Sequence, residues 1–347
     1  MPDPNVLVTG AHGHLGHALM HSLSNYGYKP LGIDPLPPDS NSAHQSTYIT
    51  GSISDRAFCT SIFQRYPSLR YILHTATLHK PHIGSHTKND FIETNIQGTL
   101  NLLEAAAATS QISENTILAF VFTSTTSAFG HALTPQPGPS QPATWIDETV
   151  LPIPKNIYGV TKVAAEDLCQ LVHAETGMPT LVLRTSRFFP EDDDDATSRA
   201  QFSDENLKVC ELLHRRVDVA DVVSAHVCAM REAQGIGFGK YIISAPTPFA
   251  RTSEFLRQLG AGDAATVISG LYPEYAAMFS GRGWKMPRRL DRVYDSGKAQ
   301  RELKWEPEFT FERACGQVRA GEEWRSEMMV RVGRRGYHAT PMGVYTK

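Results

Sequence analysis

The stretch NVLVTGAHGHLG, residues 5–16, decides how the rest of the chain is read. Its first half is a short apolar run of the kind that fills a buried strand. Its second half places Gly10, Gly13 and Gly16 at even spacing where a helix pattern begins. One glycine permits a tight turn, another lets backbone approach a ligand without a Cβ in the way, and the third lets the helix pack closely on the strand. The first turn of that helix offers N–H groups and the positive end of a helix dipole, which suits a pyrophosphate. Glycine turns also arise for conformational reasons alone, but the position between strand and helix favours phosphate binding.

The next apolar run closes with LGIDP, residues 31–35. It puts Asp34 about twenty residues beyond the turn, where a carboxylate accepts hydrogen bonds from both hydroxyls of an adenosine ribose. A 2′-phosphate there would meet like charge, and no arginine follows closely to compensate, so the pattern favours NAD over NADP. The competing reading is an aspartate that only shapes the turn before Pro35.

Outward from this unit, apolar β-rich runs at 5–9, 29–34, 70–75, 117–123 and 180–186 alternate with helix patterns at 15–26, 90–108 and 158–176. Such alternation predicts an α/β fold, a Rossmann-type doubly wound parallel sheet with helices on both faces. A further helix pattern at 218–233 and strand pattern at 240–245 return to that sheet late in the chain. The expected division is therefore 1–186 with 214–246 as the NAD-binding domain, 187–213 with 247–332 as a smaller, discontinuous C-terminal substrate domain, and 333–347 as a tail. The Pro-rich stretch 134–145 and the acidic run 191–195 read as surface loops.

Over the 347 residues, 33 Lys and Arg face 36 Asp and Glu. No global basic field exists to attract nucleic acid or an anionic membrane, and small-molecule chemistry is the better expectation. No signal core or membrane-length apolar run is present, which predicts a cytoplasmic protein without membrane contact. The five cysteines are scattered and never form C-x-x-C, so they read as reduced packing residues rather than a disulfide framework or a zinc site.

The run YGVTK places Tyr158 and Lys162 at i and i+4 on one helix face. A nearby ammonium and a cationic cofactor ring would favour the phenolate and bring Tyr158 towards acid–base strength near neutrality. The run FVFTSTTSAFG sends a buried strand into a cluster of hydroxyls, Ser124, Thr125, Thr126 and Ser127, at the carboxyl edge where α/β sheets bind ligands. One of these hydroxyls can polarise a carbonyl beside Tyr158. The alternative is a hydrogen-bonded turn.

Taken together, TGAHGHLG, Asp34, HTAT (74–77), TNIQGTLNLLEAA, TSTTSAFG, YGVTKVAAED, LRTSRFFP, RRVDVADVVSAH and DSGKAQRELKWEP resemble, in order and spacing, the extended short-chain dehydrogenase/reductase family, also called the NAD-dependent epimerase/dehydratase family, over nearly the whole chain. The resemblance implies a catalytic set of Thr125, Tyr158 and Lys162, with Thr125 chosen by counting back from Gly130. It implies NAD contacts from Gly10, His12, Gly13, His14, Leu15 and Gly16, from Asp34, Ser52 and Ile53, and from Thr75, Ala76 and Thr77. Further NAD contacts fall to Asn95, Thr123, Tyr158, Lys162, Arg184 and Ser186. Substrate contacts fall to Ser124, Thr126, His79, His82, Arg187 and Phe188. Homodimerisation through the helices at 90–108 and 158–176 is implied as well.

Departures from the family pattern bear on the substrate. Family dehydratases carry Asp-Glu directly after the catalytic Thr, where this chain has Thr126 and Ser127, so dehydration is not expected. Nucleotide-sugar members usually place an Asn three residues after the arginine of the sixth strand, where this chain has Arg187, and the run EDDDD follows. Ser52 stands where an acid is common near the adenine. The histidines at 74, 79, 82 and 86 invite a metal reading, but His74 sits in a strand pattern and substrate contact by His79 or His82 is favoured, so no metal is expected. The expected activity is reversible hydride transfer between a secondary alcohol or its ketone and NAD. Epimerisation through a transient ketone, or cofactor sensing without chemistry, are the alternatives.

Overall fold

The computed structural model describes residues 3–37, 47–112, 116–133, 141–193 and 195–335. Asp194, most of the Pro-rich stretch and the tail from residue 336 lie outside them. The strands are β1 (Val6–Thr9), β2 (Pro30–Asp34), β3 (Tyr48–Thr50), β4 (Tyr71–His74), β5 (Ala119–Thr125), β6 (Thr144–Ile146), β7 (Thr180–Thr185), β8 (Phe238–Ile243) and β9 (Arg292–Tyr294). Seven of them form one sheet in the order β3-β2-β1-β4-β5-β7-β8, with every pairing parallel. The runs at β1, β2 and β7 are buried at every position, as they must be when helices cover both faces.

One face of the sheet, through Val6 and Val8, meets α1 (His14–Ser22). The other, through Leu7, Ile72, Phe120 and Phe122, meets α2 (Arg56–Arg65) and the two helices that follow α3 (Lys88–Phe91), namely α4 (Gly98–Ile112) and α5 (Ile157–Thr176). After the short α6 (Ala196–Gln201) and α7 (Asp204–Glu211), α8 (Val219–Ile236) returns to the α1 face and leads into β8. Strand order reverses between β1 and β4, so the crevice at the sheet's carboxyl edge opens beside the glycine turn.

The remaining helices, α9 (Ser253–Ala261), α10 (Ala264–Leu271), α11 (Pro273–Gly281), α12 (Gly297–Glu302), α13 (Phe311–Ala320) and α14 (Glu327–Val332), continue the α1-side core through Ile268, Phe279, Trp305, Phe311 and Met329. The last of them folds back on the nucleotide layer: Ser326 donates to Asp218 at the start of α8, and Ser22 of α1 meets the Met328 sulfur at 3.8 Å. The parallel pair β6-β9 lies outside the main sheet and ties the chain after β5 to the segment before α12.

Three features were not in the sequence reading. The short β3 and the β6-β9 pair carry three residues per strand, too few for a periodic signal. The single helix expected at 90–108 is broken by a π-helical segment, Ile92–Gln97. The wide turn carries Asn95, whose side chain faces inward and is buried.

Buried imidazoles brace the sheet. His74 Nδ1 and Nε2 meet the hydroxyls of Thr9 (2.7 Å) and Thr99 (2.9 Å). His226 Nδ1 faces the Val222 carbonyl at 2.8 Å and so carries the proton, leaving Nε2 to accept from the Thr123 hydroxyl at 2.7 Å. Burial pushes His226 down to about 4 and His74 well below its ordinary value. A folded pKa below the unfolded one means that the unfolded chain binds the proton first, so this stabilisation is present above about pH 6.5 and is lost as pH falls towards 4. His226→Gln is expected to lower stability near pH 7 by about 1–3 kcal/mol. The deficit relative to wild type should shrink as pH drops from about 6.5 to about 4.5, since glutamine does not titrate. Thermal unfolding of both proteins across that range measures it, and a pH-independent deficit would show that His226 is not held neutral.

Candidate active site

A cavity of about 820 Å³ runs along the carboxyl edge of the sheet from Asp34, past the glycine turn, to Thr125 and Tyr158 and on to Arg292 and Tyr294. Gly10 has φ +67°, and a Cβ there would lie 2.7 Å from the Ala76 backbone; a Cβ at Gly16 would collide with the Gly10 carbonyl. Both positions therefore require glycine. Gly13 caps α1 without a side-chain hydrogen bond, and the first turn holds no acidic residue, so the helix N-terminus keeps N–H groups for a ligand. Asp34 accepts from the His12 and Leu36 N–H groups at 3.0 Å each, which fixes its carboxylate in the cavity wall at the end of β2.

Most of the residues expected at the cofactor line this cavity: Gly10, His12, Gly13, His14, Leu15, Gly16, Asp34, Ser52, Ile53, Thr75, Ala76, Thr77, Thr123, Tyr158 and Ser186. The Thr9 hydroxyl accepts from the Thr75 and Ala76 N–H groups, so β1 sets the position of the β4 loop. His12 Nε2 and Ser186 Oγ are buried without a hydrogen-bond partner. Three expected contacts do not reach the cavity. Asn95 is consumed inside the fold, accepting from the Leu78 N–H and Thr77 hydroxyl and donating to the Leu78 carbonyl and Thr161 hydroxyl. It fastens the β4 loop to α5. Arg184 turns away to Glu166, with Nε at 3.0 Å and Nη2 at 2.6 Å from its two oxygens, and stacks on Phe129. Lys162 lies behind the wall, its Nζ donating to the Thr123 carbonyl at 2.6 Å and sitting 3.9 Å from the Phe122 ring centroid.

Thr125 and Tyr158 are brought together. Thr125 ends β5 and accepts the Ser127 N–H at 3.1 Å, Asn156 caps α5 by accepting the Gly159 N–H at 3.0 Å, and the Thr125 side chain lies close enough to the Tyr158 phenol to favour its ionised form. The expected lowering of the Tyr158 pKa is absent. Burial pushes the phenol up to about 12, with the Thr125 side chain opposing. Burial likewise pushes Lys162 down to about 7, with the Glu166 charge opposing.

Among the expected substrate contacts, Thr126, His79, His82, Arg187 and Phe188 line the cavity. Ser124 also borders it, yet its hydroxyl points inward to Glu166 Oε1 at 2.6 Å. His82 Nδ1 accepts the His79 N–H at 3.0 Å, and the His79 ring stacks on Phe189 at 5.5 Å. Among the described residues, no group of three or more His, Cys, Asp or Glu could hold a metal ion. Sequence reasoning missed Glu166, for which the signal existed: it stands two steps of four beyond Tyr158 on the same helix face. It also missed Asp291, Arg292 and Tyr294, brought in by β9, for which no local signal existed.

Comparison with known proteins agrees with this arrangement. The family model described as NAD dependent epimerase/dehydratase family matches residues 6–243. The UDP-glucose 4-epimerase of Rhizobium leguminosarum bv. trifolii is 33% identical over 190 residues, covering 53% of this chain and 52% of that protein. The UDP-glucose 4-epimerase of Azospirillum brasilense is 24% identical over 360 residues, covering 96% and 95%. The chain spans about half the length of the first curated relatives it matches. Among solved structures, the Thermotoga maritima UDP-glucose 4-epimerase with UDP-glucose shares the fold at TM-score 0.59 and 23% identity, covering 89% of this chain and 95% of that one. The Bacillus cereus UDP-glucuronic acid 4-epimerase with UDP-glucuronic acid and NAD does so at 0.58 and 20%, covering 90% and 96%. The match over more than half of the sequence places this chain in the NAD-dependent epimerase/dehydratase family.

Proposed function

We propose that this protein is an NAD-dependent oxidoreductase of the extended short-chain type, acting on a secondary alcohol or its ketone. The observation that carries the reading is that Tyr158 and Thr125 line the same cavity as the uncapped glycine turn and Asp34. The residues present fit the cofactor. Gly10 and Gly16 leave a cradle that any Cβ would fill, and His12 Nε2 and Ser186 Oγ wait buried and unpartnered in the lining. NAD, when bound, supplies the hydride acceptor or donor. Tyr158 exchanges the hydroxyl proton of the substrate, and Thr125 holds the same oxygen in line with the phenol. Lys162 anchors the strand end through the Thr123 carbonyl and carries a proton whose retention the Glu166 charge favours. Epimerisation is the second reading, favoured by the near full-length match to the Azospirillum enzyme. It needs the same residues and differs in leaving no net change in the cofactor.

The domain division expected from the sequence is kept here as a proposal: residues 1–186 and 214–246, with α8 and β8, hold NAD, and residues 187–213 and 247–332, with α6–α7 and α9–α14, form the substrate domain. The protein acts in the cytoplasm, in keeping with five free cysteines, and pairs as a homodimer through the helices at 90–108 and 158–176, where Val160 and Leu171 of α5 stand exposed. Light scattering is expected to return twice the monomer mass, and Leu171→Glu should return the monomer mass.

Tyr158→Phe is expected to lower kcat by about 10²–10⁴ while leaving the NAD dissociation constant nearly unchanged, read by steady-state absorbance and by titration of bound cofactor. Retained turnover would remove Tyr158 from the chemistry. Titration with NAD and NADP should show tighter binding of NAD, and Asp34→Ala should narrow the preference by relieving the charge that repels a 2′-phosphate. A wild-type preference for NADP would contradict the role given to Asp34.

A further inference from the structure

The glycine turn is held from outside as well as by its own strand. His12 donates its N–H to Asp34 at 3.0 Å and stacks its ring on Tyr48, with centroids 5.0 Å apart. Its carbonyl accepts from Arg335 Nε at 3.2 Å, and another nitrogen of that guanidinium stands 3.5 Å from His17 Nε2 in the first turn of α1. Arg335 follows directly on α14, whose seat is firm. Ser326 binds the buried Asp218 through both its N–H and its hydroxyl, and Met329 and Val332 are buried. The guanidinium therefore reaches the turn from an anchored helix.

The neighbouring Arg334 takes a different wall. It donates to Asp192 at 3.0 Å, and the adjacent Glu191 meets His14 Nε2 at 3.0 Å. Residues 12 and 14 of the turn are thus gripped by two segments, and the paired arginines join those segments to each other. The exposed Arg334–Asp192 pair is screened by water and contributes little by itself. The Arg335 contact is different, being half-buried and a charge-assisted bond to a peptide of the turn itself.

Electrostatics give that bond a use beyond packing. Asp34 and Glu191 both line the cavity at this turn, and carboxylates there oppose the pyrophosphate that the first turn of α1 attracts. A guanidinium on the His12 carbonyl places a positive charge on the same stretch of backbone. It also fixes the peptide that leads into Gly13, the N-cap of α1.

We propose that Arg335 is a positioning residue of the NAD site: from beyond α14 it holds the His12 carbonyl and offsets carboxylate charge at the glycine turn, so that cofactor affinity depends on a side chain 323 positions away from the turn. The inference rests on the reading of this turn as the seat of the NAD pyrophosphate and adds to it a residue that lies outside the cavity lining.

The test is calorimetric titration of the full chain with NAD and with ADP-ribose, which keeps the pyrophosphate and lacks the nicotinamide. Arg335→Ala is expected to weaken both by about tenfold, and Arg335→Lys, which keeps the charge, to recover most of the loss. The melting temperature without cofactor should stay within about 2 °C of wild type. A clasp that served stability alone would lower that temperature and leave both dissociation constants unchanged. Because coupling is reciprocal, bound NAD must in turn hold the segment. In the wild type, trypsin cleavage after Arg334 and Arg335, followed by mass spectrometry, should therefore slow several-fold at saturating NAD; this arm needs no variant to fold. Unchanged affinity in Arg335→Ala overturns the inference, as does cleavage indifferent to NAD, or a lysine variant as weak as the alanine one. A wild type that binds neither NAD nor ADP-ribose would instead remove the reading of the turn on which the inference rests.

Discussion

The arrangement depends first on one buried charge. The Glu166 carboxylate has no exposure to water, and a charge in that position is tolerated only when it is fully paired. Arg184 of β7 grips both of its oxygens, Ser124 of β5 donates to one, and Lys240 of β8 stands 3.5 Å away. A single side chain on α5 therefore locks that helix to three adjacent strands. Removing Arg184 would leave the carboxylate uncompensated, at a cost of about 3–5 kcal/mol. Because Tyr158, Lys162 and Glu166 follow one another at intervals of four on α5, the lock also fixes where the phenol meets Thr125. The position of Tyr158 beside Thr125 is thus set by an ion pair buried outside the cavity lining.

Much of this was legible in the sequence, and the reasons are local. A turn such as TGAHGHLG leaves no choice at Gly10 and Gly16, because backbone approaches that any Cβ would block define the structure there. Tyr158 and Lys162 are adjacent on a helix, and helical spacing transmits directly into space. The contacts assigned to Asn95, Arg184 and Lys162 were harder to place, because a side chain beside a site can face it or face the core, and spacing alone does not choose. Each of the three turned inward to meet a buried partner. Tyr158 and Lys162 share a lesson about charge: the sequence suggested that a nearby ammonium and a cationic cofactor ring would favour the phenolate, whereas burial raises the phenol and lowers the amine in the protein alone. The far wall of the cavity was illegible, since β9 brings Asp291, Arg292 and Tyr294 to the site across more than a hundred residues with a strand of three.

Histidine serves three different ends in this molecule. His74 and His226 are neutral struts between hydroxyls and carbonyls, His14 meets a carboxylate at the glycine turn, and His79 and His82 form the loop that faces the cavity. The residue type is common to all of them. Burial and partners separate the roles.

The seat of α14 on α1 has a consequence for how the molecule is made. Met328 lies against Ser22, and the Arg335 guanidinium donates to the carbonyl of His12, a bond that joins positions 323 residues apart. Contacts of such long range form late in folding, after the loop they close has been ordered. During synthesis the glycine turn emerges early but waits for a clasp supplied only when the far helix appears. Until it does, the α14 side of α1 lacks its native cover, and uncovered apolar surface in a partly folded chain is where misassembly begins.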